Sequence, residues 1–220
     1  AIGRALDIAK LISVERIRDE LMKIMETEKP SVGIEYLRTS GLLEIFLPEL
    51  NDCYDVEQNK YHTFDVYYHS LYSCDAVSVE YPLMRLTALL HDIGKLPTRR
   101  MQNGDYTFYN HEVVGARITR RILKRLKFSN DEIDLVNNMV INHMFHYTDD
   151  WTDGAVRRFM RKVGVENLDN LFILRQADRI GNGSREGMPA AIGRLKQRIN
   201  LAIEQENAIT VKDLHINGHI

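Results

Sequence analysis

Cysteine is scarce in this 220-residue chain, and long apolar runs are missing from it. Two cysteines, Cys53 and Cys74, are too few for a disulfide-stapled fold, so we expect a reducing compartment and a cytoplasmic location. No apolar run approaches the ~20 residues that a membrane helix needs, which excludes a membrane span. The 29 basic and 31 acidic residues nearly cancel, so the net charge of −2 gives no global sign of nucleic-acid binding.

Strand patterns are also nearly absent, and helical spacing of apolar residues dominates the chain. We predict helices over residues 13–29, 34–45, 66–79, 83–92, 111–127, 129–143, 152–163, 168–180 and 189–206. A short hairpin with Asn103-Gly104 as its turn is predicted between the fourth and fifth of these helices. The pattern therefore predicts an all-α fold, a bundle built around the very apolar helix over 83–92.

Capping and breaking residues mark the predicted helix ends. Ser13 is predicted to cap the first helix, and residues 129–132 form a capping box for the sixth. Pro30 and Pro48 are predicted to close the first two helices. Gly94 is predicted to be a left-handed C-cap behind the fourth helix.

The sharpest chemical signal is the pair His91-Asp92, which ends an otherwise apolar helix. A buried carboxylate is costly unless it is paired or bound to metal, and carbonyls at a helix C-terminus favour a nearby cation. Alternatively, the two side chains satisfy one another's polar needs at the helix end. The dipeptide alone leaves both interpretations open.

Further potential ligands lie one to a helix, at His69, His111, His143 and Asp178. Helical bundles build metal sites in this way, from inward-facing side chains on facing helices. Imidazoles and carboxylates without thiolate suit Mn, Fe, Ni, Zn or Mg and disfavour a structural zinc finger. For any single histidine, an ordinary core or surface position is the commoner explanation. Together with His91-Asp92 they predict a site for one or two divalent ions, in which the two oxygens of Asp92 can form a bridge.

Basic residues supply two more hypotheses. Lys95 follows the pair by one turn and is predicted to balance charge on a phosphoryl oxygen; a solvated lysine is the alternative. A basic stripe, spaced i, i+3, i+4, i+7 and i+8 on one helix face, consists of Arg117, Arg120, Arg121, Lys124 and Arg125. Because this face shows no acidic partners, we predict that the stripe contacts RNA phosphates rather than only solvent. His62 is predicted to lie at the surface; a contact to the metal ligands or to substrate is the alternative.

The order His69, His91-Asp92, His111, His143, Asp178 resembles the ligand order of HD-domain metal-dependent phosphohydrolases, including the two extra histidines of binuclear members. Flanking segments across nearly all 220 residues resemble the C-terminal region, an RNA-binding neck plus HD domain, of bacterial CCA-adding tRNA nucleotidyltransferases and poly(A) polymerases. These segments are Ser13–Leu21, Gly41–Leu43, Leu47–Leu50, Thr107–Glu112 and Thr210–Gly218.

The resemblance implies a helical neck over 1–50, an HD domain over 51–185 and the start of a further segment over 186–220. Both ends look cut, so we expect an N-terminal nucleotidyltransferase head in the full-length protein. That head uses a glycine-rich loop and paired aspartates, whereas this chain contains no Asp-x-Asp and a single Gly-x-Gly, Gly181-Asn-Gly183. Nucleotide addition is therefore not expected of the chain itself.

Three hypotheses for function follow from the ligand set, the basic stripe and the resemblance. In the first, a phosphohydrolase acts on nucleotides or RNA ends, including 2′,3′-cyclic phosphates, with Asp92 and Lys95 as catalytic residues. His69, His91, Asp92 and Asp178 would hold one ion, and His111 and His143 would join Asp92 on a second. The second hypothesis is a non-catalytic tRNA-binding module that serves the absent head. The third, a binuclear oxygenase, is disfavoured by Lys95 and by the flanking segments.

Overall fold

The computed structural model describes residues 11–60, 62–183 and 189–216, with backbone alone from residue 206 onward. The tail segment Thr210–Gly218 therefore ends outside the described residues. The described part is predominantly helical, as predicted, with one two-stranded antiparallel sheet. Its elements are α1 Val14–Met25, α2 Pro30–Thr39, α3 Leu42–Phe46, α4 Pro48–Asn51, α5 Val66–Asp75, α6 Pro82–Leu90, α7 Lys95–Thr98, β1 Arg100–Gln102, β2 Asp105–Thr107, α8 His111–Arg125, α9 Asn130–Asn142, α10 Asp153–Val163, α11 Leu168–Gly181 and α12 Ala190–Ile216.

The described chain divides into two compact units. The first comprises residues 11–144 and 169–183, and therefore contains α1 to α9 and nearly all of α11. The second comprises 145–168 and 189–216, in which α10 packs against α12. The domain boundaries predicted near residues 50 and 185 stay predictions. No described helix has the length and apolarity to span a membrane.

Helix α6 lies at the centre of the first unit, as its apolar sequence predicts. Leu86, Leu89 and Leu90 are fully buried, and the helix packs against α1, α5 and α9. Arg85 of the same helix is also buried. Its guanidinium donates to the carbonyl oxygens of Val77, at 2.8 Å, and Met25, at 2.8 Å. These bonds tie the end of α1 to the helix that carries the His-Asp pair.

Several local predictions are confirmed, and others need correction. Asn103 and Gly104 form the hairpin turn, both with positive φ, and the capping box at the start of α9 is complete. Pro30 and Pro48 do not close helices; each occupies the first turn of a new helix, where its missing N–H costs nothing.

Gly94 is not a left-handed cap, because its φ is −76°. The glycine is needed for close packing instead. A Cβ at this position would lie 2.1 Å from the carbonyl oxygen of His111 and 2.5 Å from the amide nitrogen of Gly115. Gly181 has a similar role in α11, where a Cβ would lie 2.9 Å from the carbonyl oxygen of His69. These contacts bring the backbones that carry the predicted ligands together.

Candidate metal centre

All six predicted ligands lie in the first unit and converge on one site. Five of the six are buried, and the Asp178 side chain is 19% exposed. His69 lies within α5 and Asp178 within α11, whereas His111 begins α8. The remaining three follow helix C-termini: His91 and Asp92 after α6, and His143 after α9. Carbonyl dipoles at these C-termini favour a cation between them.

One group of donor atoms surrounds Oδ2 of Asp92. The Nε2 atoms of His69 and His91 lie 3.1 Å and 3.3 Å from this oxygen and 3.2 Å from each other. Oδ1 of Asp178 lies 3.3 Å from Nε2 of His69 and 3.8 Å from Nε2 of His91. The two imidazoles and Asp92 thus present three donor atoms that lie within 4.8 Å of one another, and Asp178 approaches both imidazoles.

A second group surrounds the other oxygen of the same carboxylate. Nε2 of His111 lies 3.3 Å from Oδ1 of Asp92, and Nε2 of His143 lies 3.6 Å from it. The two Nε2 atoms are 3.3 Å apart. Asp92 therefore turns one oxygen to each group, and its carboxylate would hold both ions if each group bound one.

The histidine rings are oriented by the backbone. In each of three, Nδ1–H donates to the carbonyl oxygen three residues earlier, at 2.7 Å for His91, 2.8 Å for His111 and 2.7 Å for His143. A carbonyl oxygen only accepts, so Nδ1 carries the proton and, in the neutral ring, Nε2 offers its lone pair to the site. His69 differs, because its buried Nδ1 has no hydrogen-bond partner among the described residues.

The donor set fits a divalent metal. Ligands about 2.1 Å from a common ion lie ~3.0–3.4 Å apart in octahedral or tetrahedral geometry. Most separations within the two groups fall in this range. The backbone fixes the Nδ1 protons of His111 and His143, so in their neutral forms two Nε2 lone pairs face each other at 3.3 Å and repel unless a cation lies between them. The role of the six residues as metal ligands nevertheless stays a prediction.

The two carboxylates of the site, Asp92 and Asp178, make its electrostatic potential negative and favour a bound cation. Burial disfavours the charged form of His91, but Asp92 and Asp178 outweigh it and raise the pKa of this histidine to about 10. Burial likewise opposes ionisation of Asp92, yet His91 and Lys95 hold the pKa of the carboxyl well below its usual range. Burial lowers the pKa of His143. The carboxylates thus stay ionised in a buried position, as metal ligands must.

Lys95 is buried, and its three ammonium protons face three partners. Nζ lies 2.6 Å from Oδ2 of Asp92, 2.6 Å from Oε1 of Gln58 and 3.3 Å from Nε2 of His62. The ammonium therefore acts first on the charge of Asp92. Contact with a phosphoryl oxygen, the role predicted for Lys95, stays a prediction and requires one of these bonds to be exchanged.

An open cleft of about 710 Å³ leads to the site, and sequence reasoning missed most of its wall. Its lining includes His62, Lys95, Tyr109, Met144, Arg175 and Arg179. His62 is half-buried in this wall, which favours the alternative of a contact to the site over the predicted surface position. Burial and then the charge of Lys95 lower the pKa of this histidine to about 4. The neutral ring accepts from Lys95 through Nε2, while Nδ1 donates to Asn59 at 2.7 Å.

The basic stripe on α8 does have acidic partners, contrary to expectation. Arg120 pairs with Asp134 at 2.6 Å, and Arg125 holds Glu49 through two bonds of 2.6 and 2.7 Å. Arg117, Arg121 and Lys124 are exposed. No ion pair links these three to any described residue. RNA contact by the stripe stays a prediction and now depends on these three residues.

Two family profiles match the chain. One, described as "Probable RNA and SrmB- binding site of polymerase A", covers residues 1–54. The other, described as "HD domain", covers residues 60–183. The second includes all six predicted ligands and most of the cleft.

Several known proteins with similar sequences are named as tRNA nucleotidyltransferases or as multifunctional CCA proteins. The A-adding tRNA nucleotidyltransferase of Deinococcus radiodurans is 32% identical over 88% of this chain and 46% of its own length. The CC-adding enzyme of Thermus thermophilus is 33% identical over 76% of this chain and 39% of its own. The multifunctional CCA protein of Legionella pneumophila strain Philadelphia 1 is 34% identical over 76% of this chain and 41% of its own length.

This chain therefore spans less than half the length of the curated relatives it matches. The HD-domain profile, in contrast, covers more than half of the chain and contains the whole candidate centre. The chain belongs to the HD-domain family, and its first 54 residues match the RNA-binding profile of polymerase A.

Proposed function

We propose that the chain is a divalent-metal-dependent phosphohydrolase. The observation that carries the proposal is the division of Asp92, whose two oxygens each face a separate group of imidazole donors. This geometry suits two ions that share one carboxylate. When bound, such ions supply Lewis-acid activation of water and of a phosphoryl oxygen.

The residues of the chain contribute position and charge. His91, His111 and His143 are held in one ring orientation by backbone carbonyls, so little reorganisation accompanies metal binding. Lys95 offsets the negative charge of Asp92 and keeps that buried carboxylate in place. The open cleft admits a phosphoester and water to the site from one side.

Nucleotides or RNA ends, including 2′,3′-cyclic phosphates, are the proposed substrates. Two relatives are named as A-adding and CC-adding tRNA nucleotidyltransferases, and tRNA bound by such a protein would be available to an HD domain in the same polypeptide. We also propose that the full-length protein carries a nucleotidyltransferase head and works in the cytoplasm. Both buried cysteines are free thiols, consistent with a reducing compartment.

A direct assay tests the proposal. Protein purified without chelator is supplied with Mn, Ni, Fe, Zn and Mg in turn and incubated with bis-p-nitrophenyl phosphate and with 2′,3′-cyclic AMP. We expect hydrolysis with at least one metal and none after the metal is chelated. Protein with a full metal complement that cleaves neither ester would contradict the phosphohydrolase.

A tRNA-binding function is the second candidate, favoured by the RNA-binding profile over residues 1–54 and by the exposed residues of the stripe. It does not need metal and is compatible with hydrolysis. A module that only binds tRNA would keep its affinity after chelation.

Reversing two exposed charges of the stripe should weaken tRNA binding. We expect Arg121→Glu with Lys124→Glu to raise the Kd roughly tenfold, because two phosphate contacts are lost. The slope of log K against log salt should fall by about one per lost contact. Fluorescence anisotropy at several salt concentrations measures both quantities. The matched control reverses the charges of Arg100 and Lys162, which are exposed outside the stripe. If both double variants change the Kd and the salt slope equally, the stripe is ordinary solvated surface and not an RNA contact.

A further inference from the structure

Two arginines of α11 line the cleft beside the metal-ligand candidates. Arg175 precedes Asp178 by one helical turn, and Arg179 follows it directly. Both side chains are half-buried and belong to the wall of the cleft that contains Asp92, His111 and Asp178. Neither was predicted to be functional from the sequence.

Their hydrogen bonding leaves donors for a ligand. Arg175 donates from Nη1 to Oδ2 of Asp178 at 3.1 Å, which leaves most of its five N–H groups for other acceptors. The Nε of Arg179 is buried and has no hydrogen-bond partner among the described residues. A buried donor of this kind is costly unless some acceptor reaches it.

The other cation of the cleft is already engaged. All three protons of Lys95 face Asp92, Gln58 and His62, so this ammonium has no unused donor for an incoming anion. A phosphoester that enters the cleft therefore meets the guanidinium groups of α11 as the cations with unused donors. Guanidinium forks match phosphate oxygens in a bidentate manner.

We infer that Arg175 and Arg179 hold the non-bridging oxygens of the substrate phosphate next to the metal centre. The inference rests on the proposed function, since it supplies the binding contacts for that same site. Arg179 is the main phosphate ligand, because its Nε has no hydrogen-bond partner among the residues that the structure describes. Arg175 has two contacts: it positions Asp178 through Oδ2 and turns its remaining donors to the phosphate.

Inorganic phosphate binding tests the inference separately from catalysis. Isothermal titration of the metal-loaded protein should give a Kd that rises about 10- to 100-fold in Arg179→Gln, the loss expected for a charge-assisted contact. The Kd of Arg179→Lys should lie between those of the wild type and Arg179→Gln, because lysine keeps the positive charge but lacks the two-pronged guanidinium group. Arg100→Gln removes an equivalent exposed charge from β1 and should bind like the wild type.

Kinetics and metal content complete the test. In Arg179→Gln the KM for a phosphodiester should rise by a similar factor while the metal content stays at the wild-type value. Phosphate affinity in Arg179→Gln and Arg179→Lys equal to the wild type overturns the inference, as does wild-type protein that binds no phosphate. If Arg179→Gln does not fold, the phosphate affinity of Arg179→Lys alone tests the inference. Phosphate that binds through Arg179 in a protein that hydrolyses no ester would contradict the proposed function and leave this inference standing.

Discussion

Replacing Asp92 with asparagine should abolish metal binding and lower phosphodiesterase activity by several orders of magnitude. The substitution keeps the size of the side chain but removes the negative charge that both donor groups share. A neutral amide is a poor metal ligand, and it presents one oxygen where the carboxylate presents two. Metal content by mass spectrometry and hydrolysis of 2′,3′-cyclic AMP measure the two effects.

Loss of a buried counter-charge also affects stability, so the experiment needs controls. Lys95 and His91 lose their partner, and breaking a buried pair in this way costs about 3–5 kcal/mol. Thermal melting shows whether the variant is folded, and His111→Gln offers a milder change that removes a ligand from the second group alone. Asp134→Asn makes the same change at an exposed position and should retain full activity. Wild-type activity in Asp92→Asn would place the chemistry outside these six residues.

Replacing Gly94 with alanine should destabilise the first unit and disturb the metal centre together. The new Cβ would lie 2.1 Å from the carbonyl oxygen of His111 and 2.5 Å from the amide nitrogen of Gly115. Both are backbone atoms, so no change of rotamer relieves the overlap. We expect the free energy of unfolding to fall by about 3 kcal/mol, at the upper end of ordinary overpacking.

The same displacement separates His111 from Asp92, because Gly94 lies two residues beyond that aspartate. Metal affinity should therefore fall along with stability. Urea denaturation and metal titration measure the two quantities, and Gly193→Ala provides the matched control. Apart from the adjacent residues and the nearby backbone of its own helix, no described residue has an atom within 4 Å of a Cβ at Gly193. Alanine in a helix is favoured over glycine by up to about 1 kcal/mol. A Gly94→Ala protein with wild-type stability and metal affinity would contradict the close-packing role of this glycine.

The six ligand candidates were accessible from sequence because they are histidines and aspartates distributed over five helices, in an order that resembles the HD-domain ligand order. Helix periodicity and the capping box similarly located most elements. The sequence predicts that the two oxygens of Asp92 can face separate groups of ligands. It does not predict the hydrogen bonds from Nδ1 of His91, His111 and His143 to backbone carbonyls. Those bonds depend on side-chain rotamers at helix ends, which residue spacing does not encode.

Contacts between segments that are distant in sequence explain why several predictions from the sequence are wrong or incomplete. The partner of Arg125 is Glu49, which lies 76 residues away, so the stripe looked unpaired in the sequence. Gly94 was expected to end a helix locally, but the backbone of α8 that requires it comes only after the hairpin. Arg175 and Arg179 gave no signal, because their significance depends on the cleft that the folded chain forms beside them.

Anomalous diffraction from crystals of protein purified without chelator tests the metal centre most directly. Data collected on both sides of the metal absorption edge should show two peaks, one on each side of the Asp92 carboxylate. One peak should lie about 2.0–2.3 Å from the donors of His69, His91, Asp92 and Asp178, and the other at the same distance from those of His111 and His143. Metal-saturated crystals without a peak between these side chains would contradict the account.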